Sequence, residues 1–224
     1  MSLHVLGPDL DTLDAAIASA APTLSGAEQR LAVAVYRLIA SGSPVEISAA
    51  AAAAGMPVVA AQRMINSWSG VYQDESERVI GFWGLAIAET PHSLRIGGAD
   101  AYAWCAWDPM FLALIVGPIN VSTQDPVTAE TISYEIDVEG VVSNLSHARS
   151  AMSFLRPNEP WKENIIETFC NYVLQFASES SAAQWVAQHT DTFVIGFDDG
   201  LELARRHAMR VLGPALDAGA VRGV

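Results

Sequence analysis

Val79-Ile80-Gly81-Phe82-Trp83-Gly84-Leu85-Ala86-Ile87 is the stretch on which the fold turns. Its β-branched and aromatic residues read as extended chain, and the polar segment Gln73 to Arg78 separates it from a shorter run, Val71-Tyr72. Together the two runs make a hairpin with an acidic tip. Everything upstream reads as helix. Asp9, Asp11 and Asp14 place acids at the start of a first helix carrying Ala15 to Ala18. Ser25 and Glu28 form a capping-box pattern ahead of Leu31, Val35, Leu38 and Ile39, which recur at helical spacing until Gly42. Ser48 is placed to cap the tract Ala49 to Ala54, and Pro57 suits the first turn of a helix ending by Gly70. Three helices followed by a hairpin is the layout of a winged helix. The expected class is therefore α+β. A winged-helix-like N-terminal domain over residues 1–90 precedes a mixed domain of small antiparallel sheets packed with helices over residues 91–224.

A winged helix usually suggests DNA binding, and here the charges argue against it. Across residues 1–90 the basic side chains are Arg30, Arg37, Arg63 and Arg78, against nine carboxylates that include Asp74, Glu75 and Glu77 at the wing tip. Neutralising phosphates requires a basic footprint, which this region lacks. The whole chain of 224 residues carries a formal net charge of −13, so nucleic acid and anionic membrane surfaces are unexpected partners. The N-terminal region reads instead as a structural or substrate-covering domain. Met1 to Asp11 lack the basic start and apolar core of a signal peptide, and no apolar run reaches the roughly 18 residues of a membrane span. Two cysteines, Cys105 and Cys170, make no disulfide framework. A reducing cytoplasm, where both thiols stay free, is the expected setting.

Downstream, Ser93 to Ile96 reads as a short strand closed by Gly97-Gly98, and Asp100 is placed to cap a helix through Tyr102-Ala103-Trp104-Cys105-Ala106-Trp107-Asp108. In that helix Cys105 and Asp108, at i and i+3, share a face. Pro109 then starts a helical continuation, Met110 to Val116, at a kink beside Asp108. Thr131 to Val138 alternates and turns at Glu139-Gly140, a hairpin signal, and Met152 to Leu155 adds a strand. Glu167 to Ser178 reads as a strand with Cys170, Tyr172, Leu174 and Phe176 on one face. Ser181 to Ala187 and about Asp199 to Leu212 read as helices, and Thr192 to Gly196 is ambiguous between strand and loop.

Most chemical motifs are missing. There is no Gly-x-Gly-x-x-Gly, Walker loop, Gly-x-Ser-x-Gly elbow or Cys-x-x-Cys. His4, His92, His147, His189 and His207 are scattered without zinc-site spacing and read as surface or packing residues. What remains is two thiols in aromatic surroundings and one nearby carboxylate. Thiolate is a ligand for soft ions, and two thiolates plus a carboxylate suit a large soft metal such as Hg(II) better than zinc, whose structural sites want four N or S ligands.

On these residues the chain resembles the organomercurial (alkylmercury) lyases. The resemblance lies in Arg95 followed by the Tyr102–Asp108 block and in Thr168-Phe-Cys170-Asn-Tyr-Val with Phe176-Ala-Ser. It extends to the Trp185 helix, to Gly84-Leu85 and Glu89-Thr90, and to the winged-helix-like region. The two cysteine blocks, about sixty-five residues apart, are specific as a pair. The resemblance implies protonolytic cleavage of a carbon–mercury bond to a hydrocarbon and Hg(II). It makes Cys105 the first thiol to bind mercury, losing its proton to Asp108, and Cys170 the second. Asp108 then delivers the proton to carbon. No cofactor is implied. The implied partners are an organomercurial substrate, small thiols that accept product, and a mercuric reductase that receives Hg(II).

Some family members carry a further cysteine in the strand after the motif helix, where this chain has Val121-Ser122-Thr123-Gln124, and another directly after the second catalytic one, where it has Asn171. Neither takes part in the implied mechanism. Two other readings stand beside the lyase: a non-catalytic thiol protein that binds mercury or another soft metal, and a winged-helix regulator that senses metal through its thiols.

Overall fold

The computed structural model describes residues 7–162 and 164–217; His4 lies outside them. Four helices open the chain: α1 (Leu10–Ala20), α2 (Gly26–Ile39), α3 (Ile47–Ala54) and α4 (Val58–Ser67). The capping box at α2 forms, with the Ser25 hydroxyl accepting from the Glu28 N–H and the Glu28 carboxylate accepting from the Ser25 N–H. It fixes the phase of a stripe, Leu31, Val35 and Ile39, that is wholly buried. The α3 cap differs from expectation: Glu46 takes the N-cap position without a side-chain bond, and Ser48 lies inside the helix.

Five strands follow: β1 (Val71–Gln73), β2 (Val79–Phe82), β3 (Leu85–Ala86), β4 (His92–Ile96) and β5 (Ala99–Ala103). Val79 to Ile87 is thus two strands, broken at Trp83-Gly84, where both residues take positive φ, 35° and 96°. After α5 (Asp108–Val116) come β6 (Ile119–Gln124), β7 (Thr131–Ile136), β8 (Val142–Ser143) and β9 (Ala151–Leu155). Then α6 (Ile165–Thr168), β10 (Gln175–Phe176), α7 (Glu179–Val186), β11 (Thr192–Gly196), α8 (Phe197–Leu212) and α9 (Pro214–Asp217) follow, the last elements among the described residues.

Strands β1 to β8 form one antiparallel sheet in the order β1-β2-β3-β5-β4-β6-β7-β8, and β10-β9-β11 form a second. Alternation decides which face each strand buries. In β7, Ile132, Tyr134 and Ile136 are buried while Thr131, Ser133 and Glu135 are exposed. The hairpin therefore continues into the sheet that carries the cysteine motif. One large buried cluster runs from α1 and α2 through this sheet to α5 and α8. Charged residues at both ends of the chain meet outside it: Arg206 pairs with Asp11, and Arg210 with Asp14, both at 2.8 Å, tying α8 to α1. Asp125 makes a buried tie, accepting from the Val127, Thr128 and Ala177 N–H groups and the Ser181 hydroxyl, which joins the end of β6 to α7.

Two local expectations fail near the cysteines. Residues Ala99 to Ala103 are a strand, because Gly97 and Gly98 (φ 56° and 90°) turn the chain back on β4 and Asp100 becomes the cross-strand partner of Arg95. Helix starts only at Asp108, with Trp107 as N-cap and Pro109 in the first turn. Likewise Glu167 to Ser178 is not one strand. Helix α6 ends at Thr168, Cys170–Tyr172 form a 3-10 turn, and extended pairing begins at Gln175. Thr192 to Gly196, ambiguous in the sequence, is strand.

Candidate active site

The first half of the site is the bend between β5 and α5. Trp104 N–H donates to the Gly84 carbonyl at 3.0 Å, which carries the strand's hydrogen bonding one residue past β5. The chain then turns through Cys105 and Ala106. Asp108 folds back, and its Oδ2 accepts from the Cys105 N–H at 2.7 Å. The proximity of Cys105 and Asp108 therefore comes from a helix-start turn rather than from i and i+3 of a helix.

The second half is the 3-10 turn of Cys170. Ala106 N–H donates to the Val173 carbonyl at 3.0 Å, which joins the two cysteine segments through their backbones. Ser153 of β9 supports the turn from behind: its hydroxyl donates to the Tyr172 carbonyl at 2.8 Å and accepts from the Leu174 N–H at 3.1 Å. As a result the Cys105 and Cys170 sulfurs and an Asp108 carboxylate oxygen all lie within 4.8 Å of one another, and all three residues are buried. The sequence proposed these three, and the fold brings them together.

Burial sets their protonation. Asp108 is pushed up to about 7 by burial, which outweighs the hydrogen bonds from the N–H groups of Cys105 and Trp104 and from the Cys105 side chain. Cys105 is raised well above the usual thiol range, mainly by burial and also by its hydrogen bond with Cys170 and the charge of Asp108. For Cys170 the hydrogen bond with Cys105 pulls down, while burial and Asp108 push up, and the net is upward. At neutral pH both thiols rest protonated, and the carboxyl is close to half-protonated.

A cavity of about 290 Å³ opens onto Asp108 and Cys170. Its walls are largely aromatic, with Trp68, Trp83, Trp104, Trp107, Trp161, Phe111 and Phe169, together with Tyr36, Gly70, Gly84 and His207. Several of these escaped the sequence reading. Tyr36 donates to the Trp83 carbonyl at 2.9 Å and so holds the Trp83-Gly84 turn against the site. A glycine interrupting a strand pattern is the usual mark of close backbone approach, and Gly84 could have been found by that signal. His207, read as a surface or packing residue, is buried among Trp107, Phe111 and Trp161, and its Nδ1 has no hydrogen-bond partner among the described residues. Burial lowers it to about 4, so the ring is neutral. No signal in the sequence distinguished it from the other histidines.

The alkylmercury lyase (MerB) family profile matches residues 85–208, more than half of the chain. The chain belongs to the alkylmercury lyase family. It is an enzyme of that family, an alkylmercury lyase. The alkylmercury lyase of Staphylococcus epidermidis is 32% identical over 177 residues, covering 79% of this chain and 80% of the relative. That of Pseudomonas putida is 30% identical over 183 residues, covering 81% and 84%. Among solved structures, the mercury-bound form of MerB2 superposes with a TM-score of 0.68 at 16% identity, covering 93% of this chain and 98% of that one. This last likeness bears on the fold: a mixed α+β architecture shared by MerB2 and this chain. No helix among the described residues is long and apolar enough to cross a membrane.

Proposed function

We propose that this lyase cleaves the carbon–mercury bond of organomercurials by protonolysis, yielding a hydrocarbon and Hg(II), with Cys105, Cys170 and Asp108 as the reacting groups. The observation that carries the reading is the convergence of two sulfurs and a carboxylate oxygen within 4.8 Å beside an aromatic cavity. Hg–S bonds are slightly longer than the roughly 2.3 Å of Zn–S, so a near-linear S–Hg–S unit spans a little under about 5 Å. The two sulfurs lie within 4.8 Å of one another, close enough for one mercury to take both.

Both thiols start protonated, and the soft metal drives their deprotonation by binding the thiolate form. Two sulfur donors raise the electron density on the mercury-bound carbon and make it a better proton acceptor. Asp108 takes a thiol proton and passes it to that carbon. A carboxyl with a pKa near 7 suits both halves of the task, since it neither holds nor rejects a proton strongly at neutral pH. The aromatic walls give an organic group an apolar seat and keep the proton from exchanging with bulk water.

The reaction calls on no organic cofactor. Small thiols deliver the substrate and carry Hg(II) away, with a mercuric reductase as the further acceptor, in a reducing cytoplasm. Residues 1–90, the winged-helix-like region, serve as the substrate cover, a role supported by the presence of Tyr36, Trp68 and Trp83 in the cavity wall. The deciding experiment incubates purified protein with phenylmercury and excess thiol, without added cofactor, and measures benzene. Benzene release by the native chain, with none from Asp108→Ala, is the expected result. Tight mercury binding without benzene would instead leave a soft-metal binding protein.

A further inference from the structure

The two thiols stand at different depths. Cys170 and Asp108 line the cavity, whereas Cys105 does not line it and has no exposed surface. Cys105 lies behind the other two, with its N–H bonded to Asp108 and its side chain hydrogen-bonded to Cys170. We propose that Cys170 captures the organomercurial first and that Cys105 is the second thiol, the reverse of the order that the family resemblance implied. The proposal rests on the lyase reading only in taking an organomercurial as the ligand.

The proton inventory supports this order. The incoming substrate is R–Hg–SR′, with a small thiolate on mercury. In the first exchange the Hg–SR′ bond breaks, an Hg–Sγ bond to Cys170 forms, and the Cys170 proton leaves with R′S⁻ as R′SH. That thiol departs through the cavity, so its proton is lost to the site. In the second step the Cys105 sulfur bonds to mercury and its proton passes to the Asp108 carboxylate. From there it goes to R as the C–Hg bond breaks, releasing RH and leaving Hg(II) between two thiolates. Mercury stays Hg(II) throughout and no oxidant is needed. The proton destined for carbon has to be one that the site retains. Cys105 suits that role, being sealed from the cavity and adjacent to Asp108, while Cys170 is the thiol a leaving group can reach.

Two measurements test the order. On the native chain, brief alkylation with iodoacetamide followed by peptide mapping is expected to label Cys170 at least about tenfold faster than Cys105, because thiol reactivity follows access. Equal labelling, or labelling of Cys105 first, overturns the proposal. With phenylmercury in rapid-quench mass spectrometry, Cys105→Ser is expected to form a Cys170–Hg–phenyl adduct within about threefold of the native capture rate, and Cys170→Ser to be slowed at least about tenfold. Native-rate capture by Cys170→Ser overturns it. Benzene release, measured in parallel, reads the lyase proposal separately. Capture at Cys170 first without benzene leaves the order standing and removes the protonolysis.

Discussion

Gly84 sits against the carboxyl group of Asp108 so closely that a Cβ on residue 84 would lie 2.7 Å from both Cγ and Oδ1. Its φ of 96° lies in the region that side chains other than glycine avoid. The Gly84 carbonyl also accepts from Trp104 N–H, so one residue both shapes the turn entering α5 and sets the position of the carboxyl. Gly84→Ala is therefore expected to displace Asp108 and cut turnover by at least about tenfold, in line with the cost of small misplacements at reacting groups. Mercury binding should be far less affected, because both thiols remain. Hydrocarbon release and Hg(II) affinity measured on the same preparation check this, and unchanged turnover would show that the carboxyl is not held by that contact.

Stability should carry the signature of Asp108. Its pKa is about 7 in the folded chain and near the ordinary 3.8 when unfolded, so between these values the native state binds more protons than the unfolded state. Its contribution is fully favourable below about pH 4 and is lost as pH rises through 7. At about 1.4 kcal/mol for each tenfold change in proton affinity, the loss amounts to a few kcal/mol. Asp108→Asn keeps the shape without the charge. It should be more stable than the native chain at pH 8, with little difference at pH 4, as read by urea denaturation at the two pH values.

His207 works in the opposite direction. Its pKa falls from 6.5 to about 4 on folding, so the unfolded chain takes up the proton first as pH drops through that window, and stability declines. His207→Leu removes the titrating group, and with it a buried nitrogen that has no hydrogen-bond partner among the described residues. The variant should lose less stability than the native chain between pH 6.5 and pH 4. Parallel melting curves across that range decide it, and superimposable slopes would refute the assignment.

Ser153 is wholly buried and holds the backbone on either side of Val173 with two hydrogen bonds. Ser153→Ala leaves the Tyr172 carbonyl and the Leu174 N–H short of those bonds, at a cost of about 1–3 kcal/mol. The Cys170 turn would loosen with them. The expected readouts are a lower denaturation midpoint and faster hydrogen exchange at residues 170–174, while exchange in α3, which packs against α2 and α4, stays as in the native chain.

Much of this was legible in the sequence where one signal dominates. The Ser25–Glu28 box, the alternation of β7 and the Gly97-Gly98 turn each declare an element from local chemistry alone. The conformation around the cysteines was not legible, because alanine and tryptophan at 101–107 tolerate strand and helix alike and sheet pairing with β4 decides between them. The apparent alternation after Thr168 was likewise overruled by the Ser153 hydrogen bonds and by the bond between Ala106 and Val173. The reacting residues could be named because residue type restricts soft-metal chemistry to very few side chains. The cavity wall could not, since Tyr36, Gly84 and His207 are neighbours only once the chain is folded.

That wall is assembled from both sides of the family signature. The match begins at residue 85, yet Tyr36, Trp68, Gly70, Trp83 and Gly84 all lie before it and all face the cavity. Part of the cavity wall thus comes from outside the stretch that carries the thiols and the carboxyl, and the rest from within it. Tyr36, Trp68 and Trp83 therefore offer positions at which the shape of the cavity can be altered from outside the signature, leaving the thiols and the carboxyl untouched.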